Sequence, residues 1–180
     1  MLGEGKYESQ TGTSVYRDFV ELPSQIMENW ATEPQVLAEY AVHYRTKEVI
    51  PEQLVRKIRN SALFNQGFAT TELVAAALSD MDIHSIRRYE PFNPEAFEDN
   101  ALRLQRGLIP QIEPRYRYPY FSHIFDGDYS AGYYFYLWAG VLDKDAFEAF
   151  RQSGDLFNRR IARDFRYKLL ARGGEADGMT

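Results

Sequence analysis

The sequence predicts an all-α fold. Apolar residues recur at spacings of three and four along most of the chain, which is the period of a helix face. Strand-like alternation is scarce, and no Asn-Gly or Asp-Gly pair joins two β-branched runs as in a hairpin. The 180 residues are 44% hydrophobic and 15% aromatic, enough to build a sizeable core. We therefore expect a multi-helix protein.

The first helix is expected from about Ser14 to Trp30. Pro23 lies within it and predicts a kink, because proline has no N–H for the bond back to the Phe19 carbonyl. The apolar face of this helix would contain Phe19, Leu22, Ile26 and Trp30.

Two further helices are expected before residue 65. Thr32 is predicted to cap the second one, with Pro34 in its first turn. Its buried stripe would contain Val36, Leu37, Tyr40 and Tyr44. The third is predicted to begin at Pro51 and to carry Leu54, Ile58 and Leu63 on its apolar face.

The middle of the chain predicts a long helix from about Thr70 to Arg88. Asn93 has the character of an N-cap, Pro94 would occupy the first helical position, and Gly107 would stop that helix. Residues 109–121 contain three prolines and are expected to be extended or looped.

The carboxyl-terminal third predicts an aromatic helix that starts near Tyr129 and a last helix that stops at Gly173 and Gly174. With a helix start near Tyr129, the phenols of Tyr129, Tyr133 and Tyr136 would share one face, at spacings i, i+4 and i+7. Spacing alone favours burial of such a stripe as core. The alternative is that these phenols, with His123 in the preceding loop, donate hydrogen bonds to a developing negative charge.

Composition excludes several functional classes. The net charge is −5 and the basic residues are scattered, which argues against nucleic acid and against an anionic membrane surface. The longest aliphatic run, from Leu73 to Leu78, is too short to cross a bilayer. The absence of cysteine suits a reducing, cytoplasmic compartment.

Two long segments resemble the thimet oligopeptidase / peptidyl-dipeptidase family of zinc metallopeptidases, particularly its bacterial peptidyl-dipeptidase branch. They are "RDFVELPSQIMENWA" (17–31) and "YFSHIFDGDYSAGYYFYLWAGVLDKDAFEAF" (120–150). Supporting stretches are "SALFNQGFATTELVAAALSDM" and "FRYKLLARGG". The resemblance implies hydrolysis of short peptides by a zinc enzyme, with this chain as a single partial domain, residues 1–180, truncated at both ends.

The resemblance also implies roles for individual residues. Glu21 corresponds to the third zinc ligand, and Asp18 is expected to accept a hydrogen bond from a ligating imidazole. His123 and Tyr136 would hydrogen-bond the tetrahedral intermediate. Tyr129 and Tyr133 would contact the peptide substrate. Independently of the resemblance, the turn at Gly127 would let the loop approach a ligand closely and move, so Gly127 is also a candidate for substrate binding. Tyr134, Phe135 and Trp138 are expected in the core.

The chain departs from the family pattern in two ways. It contains no His-Glu-x-x-His, so the remaining zinc ligands and the general base are expected from an upstream segment, in cis or in a separate chain. Asp126 and Asp128 flank Gly127, where this branch usually has a run of glycines.

These departures leave two functions open. One is a zinc oligopeptidase whose site this chain helps to build, although the isolated chain is expected to be inactive. The other is a non-catalytic helical module, or a subunit that completes a split enzyme. His43 and His84 are expected in helices, as surface or satisfied structural residues and not as metal ligands. The acidic segment "EAFEDN" is expected to be a solvated helix face.

Overall fold

The computed structural model describes residues 2–176, and these residues are predominantly helical. The eight α-helices among them are α1 (Leu22–Ala31), α2 (Pro34–Tyr40), α3 (Glu52–Leu63), α4 (Gln66–His84), α5 (Pro94–Asp99), α6 (Ser122–Phe125), α7 (Phe135–Gln152) and α8 (Arg159–Asp164). Short 3₁₀ turns cover Glu8–Gln10 and Tyr118–Tyr120, and π-helical turns extend α5 over Asn100–Leu104 and α8 over Phe165–Leu170. Extended pairing in residues 2–176 is limited to an isolated bridge between Val42 and Val49. The all-α prediction is confirmed.

The chain forms two compact units. The first contains Met1–Val55 and Phe135–Thr180, and the second contains Arg56–Tyr134. In the described chain, no helix is long and apolar enough to cross a membrane.

The core of the first unit lies where α1 packs on α7. Ile26 is fully buried there. The indole of Trp30 meets the rings of Phe147 and Phe150 edge-on, at centroid distances of 4.7 and 5.0 Å. Its Nε1–H donates to the Leu156 carbonyl at 2.9 Å, so the polar end of the indole is satisfied. These contacts join elements at opposite ends of the sequence.

The second unit is built around α4. Three consecutive alanines of this helix (Ala75, Ala76 and Ala77) are buried and allow close packing, and Phe121 and Ile124 fill the adjacent core. The buried Tyr118 hydroxyl donates to the Ser79 carbonyl at 2.9 Å. Burial raises the pKa of Tyr118 well above its usual value, so this phenol stays neutral and keeps its hydrogen bond.

The prediction for the first helix was wrong at its amino end. Residues 17–21 form turns, and the helix begins at Leu22 with Pro23 in its first turn. A proline there leaves no helical bond broken, because the first N–H groups of a helix have no partner within it. Pro23 therefore starts the helix and does not kink it.

The predicted stripes of α2 and α3 were only partly correct. Glu33, not Thr32, is the N-cap of α2, although Pro34 is in its first turn as expected. Leu37 is buried, whereas Tyr40 and Tyr44 are exposed. Val55 is the buried residue of α3, while three expected core residues are exposed: Leu54, Ile58 and Leu63.

Three predicted boundaries hold. Asn93 caps α5 by accepting the Ala96 N–H at 2.9 Å, with Pro94 at the helix start. Gly107 has φ +70° and Gly173 has φ +53°, the left-handed geometry expected where a helix stops.

The predicted start of the aromatic helix was wrong. This helix, α7, begins at Phe135 and not near Tyr129, since residues 128–134 form turns.

Candidate active site

The segment from Ser122 to Tyr134 folds as one turn of helix followed by a tight loop. The helix α6 contains His123, and the N–H groups of Asp126 and Gly127 both donate to the Ser122 carbonyl, at 2.8 and 3.0 Å. A Cβ at position 127 would lie 2.6 Å from the His123 carbonyl oxygen, which is closer than real structures allow. Gly127 is therefore required by the close approach of the loop to the backbone of His123.

The imidazole of His123 is surrounded by aromatic rings. Tyr116 lies 4.8 Å from it, Tyr133 5.7 Å, and Phe121 and Tyr129 each 6.1 Å, measured between ring centroids. Its Nδ1 atom is buried and has no hydrogen-bond partner within residues 2–176. Buried polar atoms are nearly always paired, so an unpaired imidazole nitrogen in an aromatic setting suggests a group that receives its partner from a ligand.

The predicted phenol face is not a helix face. Tyr129 and Tyr133 precede α7, and Tyr136 lies in its first turn. Tyr133 is 3% exposed, whereas Tyr129 and Tyr136 are partly buried. The core assignment of Tyr134 and Trp138 was also wrong, since both are exposed. The i, i+4, i+7 spacing assumed a helix that starts six residues too early.

The sequence reasoning missed Asp80, which is fully buried in α4. One carboxylate oxygen accepts the Ala131 N–H at 2.8 Å and the other accepts the Tyr133 N–H at 2.9 Å. His84 Nδ1 lies 2.8 Å from the first of these oxygens. An aspartate directly after the apolar run "LVAAALS" was the available signal, because a charge at such a position is buried only when it is paired.

Glu21 occupies the N-cap position of α1, and Asp18 is exposed in the preceding turn. The Glu21 side chain accepts a hydrogen bond from Ser24 Oγ at 3.0 Å, and its carbonyl accepts the Gln25 N–H, also at 3.0 Å. Gln25 Nε2 in turn donates to the Tyr136 carbonyl at 3.1 Å. Glu21 and Tyr136 thus lie in the first unit, on helices that pack together, whereas His123, Tyr129, Tyr133 and Gly127 lie in the second.

The potential metal ligands within residues 2–176 do not form a complete zinc site. Three or more His, Cys, Asp or Glu side chains that could hold an ion do not come together anywhere in residues 2–176. His43 lies outside the helices, contrary to prediction, and its Nδ1 is 3.1 Å from the Thr46 N–H nitrogen. His84 is the last residue of α4 and contacts Asp80. Glu21 is therefore at most one ligand of a larger set.

The acidic segment of α5 is not fully solvated as predicted. Glu98 is buried and accepts from Arg117 Nε at 2.6 Å. Burial raises the pKa of Glu98, and the bond to Arg117 offsets part of that rise. Glu98 can face inward because the guanidinium of Arg117 lies beside it and provides a counter-charge.

The whole chain, residues 1–180, matches the family model described as peptidase family M3. It is 45% identical over 178 residues to "Dipeptidyl carboxypeptidase" of Escherichia coli K12, covering 98% of this chain and 26% of that protein. Against "Oligopeptidase A" of the same organism the identity is 37%, over 90% of this chain and 24% of the relative. "Saccharolysin" of Saccharomyces cerevisiae is 33% identical, over 98% of this chain and 25% of its own length. The chain thus spans about a quarter of each relative, and the matches confirm the resemblance: the chain belongs to peptidase family M3.

Proposed function

We propose that this chain forms part of a zinc-dependent oligopeptidase that hydrolyses short peptides, in the manner of a peptidyl-dipeptidase. Membership of peptidase family M3 and 45% identity to a dipeptidyl carboxypeptidase support this. The observation that carries the proposal is the imidazole of His123, held among four aromatic rings with its buried Nδ1 unpaired in the described structure. Such a group is suited to hydrogen-bond a substrate once water is excluded.

His123 and Tyr136 would hydrogen-bond the tetrahedral intermediate of peptide hydrolysis. A donor already fixed where negative charge develops is typically worth about a hundred- to a thousandfold in rate. Tyr129, partly buried beside His123, would contact the peptide. Tyr133, also proposed for substrate contact, meets the imidazole edge-on and is so deeply buried that ring support is the larger part of its role.

Glu21 would provide one carboxylate ligand to zinc, and Asp18 would accept a hydrogen bond from a ligating imidazole. The other ligands and the general base would come from outside residues 2–176, since these residues contain no three-ligand group. Within the chain, Ser24 orients the Glu21 carboxylate, and Gln25 ties α1 to α7 next to Tyr136. The proposed setting is cytoplasmic, and neither nucleic acid nor membrane is a proposed partner.

A chimera tests the proposal directly. Residues 1–180 replace the matching quarter of the Escherichia coli dipeptidyl carboxypeptidase, and dipeptide release from a short peptide is measured. We expect activity in the chimera. His123→Ala and Tyr136→Phe should each lower kcat by at least about a hundredfold. Tyr89→Phe, at a position that is 79% exposed, should leave kcat unchanged.

The same experiment separates the two functional hypotheses. A chimera that folds, as judged by circular dichroism, but releases no dipeptide would favour the non-catalytic helical module. Full activity in the His123 and Tyr136 variants would contradict the roles given to these two residues.

A further inference from the structure

We infer that Asp80 is a positioning residue that fixes the backbone of residues 129–133 and, through it, the imidazole of His123. The inference deepens the proposed function and rests on it for the role of His123. It starts from the two hydrogen bonds by which the buried carboxylate holds the N–H groups of Ala131 and Tyr133.

The backbone conformation of residues 129–133 forms a site that favours a negatively charged group. Ala131 has φ +53°, a left-handed geometry that alanine rarely adopts without support from its surroundings. Backbone N–H groups gathered around a left-handed residue form a concave site that binds negative charge. Here the Asp80 carboxylate occupies that site, with one oxygen on each N–H.

The Asp80 carboxylate is buried, and each of its oxygens is bonded to the loop. Asp80 is 0% exposed, and a buried charge is retained only when hydrogen bonds compensate its lost hydration. Its partners are the two loop N–H groups and His84 Nδ1, which lies 2.8 Å from the oxygen that holds Ala131. The ring of His84 also lies near the ring of Phe125 in α6, with 6.1 Å between the centroids and a tilt of 39° between the planes. Asp80 thereby links α4 to the loop that follows α6.

The connection from Asp80 to His123 passes through Tyr133. The Tyr133 N–H is held by Asp80, and its ring packs edge-on against both His123, at 5.7 Å, and Phe121, at 4.8 Å. A shift of the Tyr133 backbone would therefore move a ring that forms one wall around the imidazole. Positioning errors of about 1 Å are sufficient to cost a large factor in rate.

The test compares Asp80→Asn with Ser79→Ala. The asparagine keeps the size of the side chain, but its amide nitrogen faces a backbone N–H that it cannot accept. Ser79 is the adjacent residue, is equally buried, and its hydroxyl has no partner within the described chain. The readouts are amide hydrogen exchange at residues 131 and 133, the NMR signal of the His123 imidazole, and kcat and KM in the chimera.

We expect Asp80→Asn to speed exchange at both amides by about ten- to a hundredfold, the factor that corresponds to a charge-assisted hydrogen bond. It should also shift the His123 signal and lower kcat of the chimera more than it raises KM. Ser79→Ala should match the parent in all three readouts. Equal exchange in the two variants, or faster exchange with no change at His123 and in kcat, would overturn the inference.

A second pair of variants covers the case in which Asp80→Asn does not fold. Replacement of Ala131 by lactic acid puts an ester oxygen in place of one N–H, leaves φ free to remain at +53° and leaves α4 intact, whereas Ala131→Gly keeps that N–H and accommodates the same φ. The ester variant should speed exchange at residue 133 and shift the His123 signal, and the glycine variant should do neither; identical behaviour would refute the inference. A chimera that is inactive with the parent segment would contradict only the proposed function, because exchange and the His123 signal are measured on the chain itself.

Discussion

The side chain of Gln25 donates from Nε2 to the backbone carbonyl of Tyr136 at 3.1 Å, although the two residues are 111 positions apart in sequence. One turn before Gln25 lies Glu21, whose carbonyl accepts the Gln25 N–H. This amide side chain thus joins the start of α1 to the first turn of α7. The proposed metal ligand and one proposed stabiliser of the intermediate lie on either side of this contact.

Gln25→Met should lower the free energy of unfolding by about 1 kcal/mol, since it removes the hydrogen bond while keeping a similar volume. Urea denaturation of the chain measures this change. Gln35→Met, at an exposed position of α2, is the control and should stay within about 0.5 kcal/mol of the parent. Equal stabilities for the two variants would show that the Gln25 contact contributes nothing.

Gly127→Ala should destabilise the loop after α6, because the new methyl group would meet the His123 carbonyl oxygen at 2.6 Å. We expect a loss of about 1–3 kcal/mol and a shifted His123 imidazole signal in the NMR spectrum. Gly67→Ala is the matched control. It lies in α4 with no atom within 4 Å of the added Cβ, so it should stabilise by about 0.5–1 kcal/mol. An unshifted His123 signal in Gly127→Ala would contradict the close-approach explanation.

The stability of the parent chain relative to Glu98→Gln should rise as the pH falls from 7 towards 4.5. Burial raises the pKa of Glu98 in the folded state above the ordinary 4.5, so the folded chain binds this proton more tightly than the unfolded chain. The contribution of Glu98 is therefore fully present below pH 4.5 and is lost as the pH rises through the folded-state pKa. Chemical denaturation of both proteins across this range measures the difference, and a constant or shrinking difference on acidification would refute it.

The isolated chain should neither bind zinc tightly nor cleave peptides. Glu21 is a single carboxylate, and residues 2–176 contain no group of three potential ligands. Calorimetric titration with zinc and a dipeptide-release assay measure the two properties. Glu21→Gln should titrate like the parent, whereas chelator-sensitive dipeptide release by the parent chain would contradict the prediction.

Local sequence was sufficient to predict where most of the longer helices lie, but not the residues at which several of them begin. The capping chemistry of Asn93 and Pro94 is contained within four residues, so that boundary was correct. Pro23 fits the interior of a kinked helix and also the first turn of a shorter one, and sequence alone does not separate these. The start of α7 was misplaced because the left-handed turn at Ala131 is stabilised by Asp80, 51 residues away.

The candidate site was predictable only as far as the family resemblance reached. His123, Tyr129 and Tyr133 do lie in one aromatic cluster. The predicted arrangement of Tyr129, Tyr133 and Tyr136 on one helix face was wrong, because α7 begins only at Phe135. The apolar run before Asp80 indicates burial of its carboxylate but not its partners, which are backbone N–H groups of Ala131 and Tyr133, far along the chain. The burial of Glu98 depends on Arg117, again a distant partner.

The pairing of α1 with α7 has a consequence for biosynthesis. The unit that contains His123 is one continuous segment, residues 56–134. All of its residues therefore leave the ribosome before α7 does. The apolar face of α1, by contrast, lacks two of its packing partners until Phe147 and Phe150 have been synthesised, because Trp30 packs against both rings. Contacts between such distant segments form slowly, because closing the long intervening loop costs entropy before the contacts can offset it. During synthesis, the apolar face of α1 is accordingly a segment exposed to aggregation.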